Sequence, residues 1–122
     1  MKMIEFQNRK YTLLGDTRAS TFLMYLIDES NPENYKQIYQ KLSDRDQVCM
    51  IAVAVHDWQG ELSPWSAPAI FGKHDFAGNA SLLLSELERF WDWFQSNYHV
   101  ETDQLYLCGY SLAGLFALWS SC

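Results

Sequence analysis

The chain is short of positive charge, of cysteine and of long apolar runs. Nine Lys plus Arg against fifteen Asp plus Glu leave 122 residues at a net charge of −6, with no basic cluster. Phosphate-bearing surfaces are met first by Lys and Arg, so neither nucleic acid nor an anionic membrane is an expected partner. Three cysteines, Cys49, Cys108 and Cys122, are an odd number without scaffold spacing. Cys49 and Cys108 sit in apolar runs, where cysteine behaves as a small buried hydrophobe, so a reducing compartment, the cytoplasm, is expected. No stretch approaches ~18 consecutive apolar residues, and the first residues hold no apolar segment of signal-peptide length. Cys and His pairs at ligand spacing are missing, as is any glycine-rich phosphate loop with lysine, so neither metal nor other cofactor is expected.

What is present fits one globular domain over residues 1–122: 48% of residues are apolar and 20% charged, and half that length would bury too little to fold alone. Aromatic residues at 16% exceed what a core of this size needs, which implies that some line a pocket or an interface.

Residues 2–7 and 10–14 read as short strands joined at Asn8-Arg9, a hairpin. The segments 21–27 and 48–55 are unbroken apolar runs, the pattern of strands covered on both faces, which belong mostly to parallel sheets. Between them, Asn31-Pro32-Glu33 supplies a cap, a first-turn proline and an acid. Tyr35, Ile38, Tyr39 and Leu42 then repeat at helical spacing, so strand, helix and strand form a crossover unit. Residues 56–79 read as a long loop leaving the carboxyl end of a strand, where open α/β sheets bind ligands. Leu83, Leu87, Phe90, Phe94 and Tyr98 share one face of a helix over 81–98. A third short strand, Gln104-Leu105-Tyr106-Leu107-Cys108, runs into Gly109-Tyr110-Ser111-Leu112-Ala113-Gly114 and a final apolar helix. The expected fold is α/β, a mostly parallel sheet flanked by helices with a hairpin at its start.

Strand, Gly-x-Ser-x-Ala-Gly and helix are the context of a nucleophile elbow. Such a turn holds its serine at positive φ and tolerates only small residues two positions to either side, here Gly109 and Ala113. Gly114 is expected to let the helix pass close to a neighbouring strand. The amide of Leu112, at a helix N-terminus, is placed to stabilise a developing oxyanion. The alternative for Ser111 is a cap on the last helix. Trp58 and Trp65 either line an acyl pocket or pack as structure, and Tyr110 adjoins the serine.

With GYSLAGLFAL at 109–118, QLYLC before it and LSPW at 62–65, the chain resembles the α/β-hydrolases, within them the group of esterase D, S-formylglutathione hydrolase and enterochelin esterase. The resemblance implies hydrolysis of a small ester or thioester: Ser111 attacks the carbonyl, a histidine takes its proton and an acid orients that histidine. It also places an oxyanion-binding turn after strand 21–27. Asp28 and Glu29 stand there instead of glycine, so their amides would donate beside two carboxylates. In this family the acid and histidine follow the serine, and only eleven residues follow Ser111. The sequence is therefore expected to be the N-terminal part of a longer enzyme, since His56, His74 and His99 all precede the serine; of these, His56 is the best placed. A half-sheet exposes an edge, so self-association through that edge is expected. The alternative function is a non-catalytic α/β module acting through association.

Overall fold

The computed structural model describes residues 1–30, 35–42, 47–64, 66–67, 76–102, 104–110 and 112–120, with backbone alone for 66–67 and 76–77. The chain order is β1 (Lys2–Phe6), β2 (Arg9–Leu14), β3 (Thr21–Asp28), α1 (Tyr35–Gln40), β4 (Val48–Val55), α2 (Trp58–Leu62), β5 (Ser66–Ala67), β6 (Phe76–Ala77), α3 (Ala80–Asn97), β7 (Leu105–Cys108) and α4 (Leu112–Ser120). Asn31-Pro32-Glu33, expected to cap the first crossover helix, lies outside the described residues.

The main sheet has five strands in the order β1-β2-β4-β3-β7, and β5 pairs antiparallel with β6 as a separate ribbon. The expectation of a mostly parallel α/β-hydrolase sheet fails, because the sheet is mixed. β1 to β2 and β2 to β4 are antiparallel, whereas β3 to β4 and β3 to β7 are parallel. An unbroken apolar run reports burial on both faces, not direction. In β2, Tyr11 to Leu14 are as buried as the centres of β3 and β4, yet β2 runs against β4.

The direction of β2 is set locally. Gln7 and Asn8 hold φ of 49° and 67°, positive at both central positions of a two-residue turn, the geometry whose twist suits an antiparallel hairpin. Phe6 therefore pairs with Arg9, and Arg9 belongs to β2, not to the turn. Gly15, at φ 104°, then lets the chain leave where a Cβ would press within 2.8 Å of the Val48 carbonyl oxygen.

Period-two alternation divides the sheet into unequal faces. Phe22, Met24, Leu26, Cys49, Ile51, Val53 and Val55 meet α2, α3 and α4 in the larger core. Among the described elements, Tyr25, Ile27, Met50 and Ala52 meet α1. The expected stripe of α3 is present, with Leu83, Leu87, Phe90 and Phe94 buried. Phe90 stacks on Tyr11 with centroids 3.7 Å apart, and Phe22, Trp91, Phe94 and Tyr98 extend the cluster. The aromatic surplus thus goes largely into the contact between α3 and the sheet. No helix among the described residues is long and apolar enough to cross a membrane.

The two described free thiols differ in setting. Cys49 is buried in β4, where burial and the nearby Asp16 charge push its thiol up to about 12, while Cys108 is exposed. Only the thiolate is nucleophilic, so iodoacetamide on the native protein should alkylate Cys108 and spare Cys49, read by peptide mass spectrometry. Comparable modification of Cys49 would contradict its place in the core.

Candidate functional site

The carboxyl ends of the three parallel strands open on one side of the molecule. In register, Asp28 faces Val55 across β3 and β4, and Tyr25 faces Cys108 across β3 and β7. β3 thus lies between the turn after β7 and the segment after β4.

Gly109 follows β7 directly and Leu112 begins α4. A Cβ on Gly109 would overlap the Ala113 Cβ and stand 2.8 Å from the Ala113 carbonyl carbon. The chain therefore reverses tightly enough to bring residues four apart into contact, and any side chain at 109 would force the strand and helix apart. The Ala113 amide donates to the Tyr110 carbonyl oxygen at 3.1 Å, and Ala113 is wholly buried. Gly114 approaches the Gly109 carbonyl oxygen, where a Cβ would sit at 3.3 Å; the close neighbour is the end of its own strand rather than an adjacent one. Leu112 is half-buried against the larger core, and its amide, in the first helical turn, has no carbonyl four residues back within the helix. Tyr110 is 70% exposed. Ser111 and Trp65 lie outside the described residues.

The segment after β3 resolves the two carboxylates. Asp28 Oδ1 accepts from the Ser30 amide at 3.0 Å and the Ser30 hydroxyl at 2.8 Å. The Glu29 amide donates to the Val55 carbonyl oxygen at 3.0 Å, continuing the ladder toward β4. Glu29 therefore cannot offer its amide to an oxyanion beside β7. Alternation along β3 turns the Asp28 amide to the opposite side, toward β7, as it does the Phe22 amide that donates to Gln104. Of the two expected positions, Asp28 alone presents an amide on the correct side.

His56 is committed elsewhere. Its Nδ1 lies 2.5 Å from Glu29 Oε2 and its Nε2 3.0 Å from the Asn8 carbonyl oxygen, so the ring bridges the end of β3 to the β1–β2 turn. Both ring nitrogens are engaged, one of them toward the edge of the sheet remote from β7. His56 is a strap across strand ends and not a base facing the turn after β7. His99, at φ 53°, follows α3 and begins the return to β7, at the opposite end of the parallel strands; His74 lies outside the described residues.

The expected loop contains α2. Asp57 caps it, its Oδ1 accepting from the Gly60 amide at 3.2 Å, and α2 packs against α3 and α4. Trp58 packs against the larger core, which favours the structural alternative for it. Beneath lies a cluster the sequence reading did not include. Arg9 is 4% exposed, and its guanidinium donates to the Ala54 carbonyl oxygen at 2.8 Å, to Glu61 Oε1 at 2.7 Å and to Glu86 Oε2 at 2.5 Å. Glu61 Oε2 also accepts from the amides of His56 at 2.8 Å and Asp57 at 3.2 Å. Burial works against both charges, but the Glu61 and Glu86 bonds raise Arg9, and Arg9 with the two amides lowers Glu61. Period two was the available signal: Arg9, Tyr11 and Leu13 alternate onto one buried face. Among the described residues no group of three or more His, Cys, Asp or Glu could hold a metal ion.

No family model matches this chain, and no curated protein matches it.

Proposed function

We propose that the chain provides the nucleophile of a serine hydrolase site, acting on a carboxylic ester or thioester through an acyl-enzyme on Ser111. The observation that carries this reading is the closed turn between β7 and α4, in which Gly109 and Ala113 touch on either side of the Tyr110-Ser111-Leu112 segment. A turn so tight, at the carboxyl edge of a sheet and opening directly into a helix, suits a hydroxyl that must be reached from outside. The Leu112 amide, joined by that of Asp28 across the gap to β3, supplies the two donors that a tetrahedral oxyanion needs. Tyr110 would flank the entering substrate. Free thiols at Cys49 and Cys108 support a cytoplasmic setting.

Among the described residues no histidine faces the turn, and that observation favours a second reading, a non-catalytic module that acts through association. A fluorophosphonate probe separates the two. The proposal expects a covalent adduct on Ser111, abolished in Ser111→Ala, with slow p-nitrophenyl acetate turnover because no histidine among the described residues faces the turn. A folded protein that forms no adduct, or forms it on another residue, would overturn it.

A further inference from the structure

The two edges of the main sheet are protected unequally. β1 carries Lys2 and Glu5, charges of the kind that keep an edge from pairing with another chain. β7 carries neither charge nor proline, and no strand among the described residues pairs its outer side. The hydrogen bond from the Phe22 amide to Gln104 fixes which main-chain groups face inward. Residues 104, 106 and 108 are directed at β3, so Leu105 and Leu107 turn their N–H and C=O groups outward. Those groups are strong hydrogen-bonding partners that a sheet edge leaves to solvent or to another strand.

β7, the turn after it and α4 carry no charged side chain. Residues 104–122 include no Asp, Glu, Lys, Arg or His, although the whole chain carries −6. Tyr106 is 58% exposed, Tyr110 70% and Leu118 67%. A shallow, mainly apolar hollow of about 560 Å³ on this edge is lined by Leu105, Tyr106, Leu107, Ala117, Leu118 and Ser120. Two copies of an acidic chain repel wherever carboxylates meet, and residues 104–122 bring none to this edge.

We propose that β7 pairs antiparallel with β7 of a second copy, joining two five-stranded sheets about a two-fold axis at Tyr106. In that register Leu105 of each copy exchanges both backbone hydrogen bonds with Leu107 of the other. Tyr106 faces its own counterpart in the close, non-hydrogen-bonded pair between them, where cross-strand aromatic contact adds to the pairing. The arrangement is self-complementary, as a two-fold interface requires. It stands independently of the hydrolase reading, though the axis lies only a few residues from the β7–α4 turn in each copy.

Sedimentation of the whole chain at micromolar concentration is expected to give a dimer. Tyr106→Lys places like charges face to face and should raise the dimer dissociation constant roughly ten-fold or more. Tyr106→Glu should do the same alone, and mixing the two variants should restore a heterodimer, a recovery that misfolded chains could not give. A monomeric wild-type chain overturns the proposal. A dimer indifferent to both substitutions overturns it as well, because its interface must then lie elsewhere.

Discussion

Replacing Arg9 with methionine should lower the free energy of unfolding by about 3 kcal/mol or more, the range seen when one partner of a buried ion pair is removed. Arg9 is enclosed between β2, α2 and α3, and its donors are shared among Glu61, Glu86 and the Ala54 carbonyl. Methionine fills much of the volume but leaves two carboxylates converging on an apolar space. The pH profile carries the sharper signature. Burial alone would raise the Glu61 pKa; Arg9 and the amides of Asp57 and His56 outweigh it and hold the group below its usual 4.5. A depressed folded-state pKa contributes stability that is present above 4.5 and is lost as pH falls through the folded value. Without Arg9 the burial contribution remains and the largest opposing one is gone, so the variant should instead gain stability as the medium becomes mildly acidic. Urea midpoints at neutral and mildly acidic pH measure both slopes. Parallel slopes in the two proteins would show that the carboxylates do not depend on Arg9, and Arg9→Met/Glu61→Gln should recover part of the loss.

Gly109→Ala is expected to cost about 2 kcal/mol, as overpacking of a tight contact does. It should also remove most fluorophosphonate adduct from Ser111. The added methyl would occupy the place of the Ala113 Cβ, and the Ala113 carbonyl carbon at 2.8 Å belongs to backbone, which cannot swing aside. α4 must move, yet Ala113 and Phe116 anchor it with no exposed surface. Ala113→Gly in the same chain removes one of the two obstructions and should return part of the stability. An unchanged urea midpoint in Gly109→Ala would mean that β7 and α4 do not meet as described.

Some of this architecture could be read in advance and some could not, for identifiable reasons. The α3 stripe was legible because five apolar residues at helical spacing leave one packing solution, and Leu83, Leu87, Phe90 and Phe94 are buried accordingly. The strands were legible as apolar runs, but their directions were not, since two-sided burial looks alike in β2, β3 and β4. The turn that decides the direction of β2 rests on Gln7 and Asn8, and glutamine carries no strong preference for positive φ. α2 spans only Trp58–Leu62, too short for a periodic signal inside a long connection. At the candidate site, the small residues Gly109 and Ala113 announced a tight turn before any geometry was known. The engagement of His56 with Glu29 and Asn8 was invisible, because Asn8 and His56 are far apart in sequence and the contact uses a main-chain oxygen.

The strand order has a consequence for the time course of synthesis. β1 and β2 are joined by a two-residue turn, and β4 completes its pairings with β2 and β3 from segments that all precede it. β7 alone must find its neighbour across a long intervening stretch, pairing Phe22 with Leu105. Such distant closure is slow, and chains fold from the amino end as they emerge from the ribosome. Four strands and α1 can therefore settle while α3 is still being made, and the strand that leads into the Gly109 turn docks last, onto a template already formed.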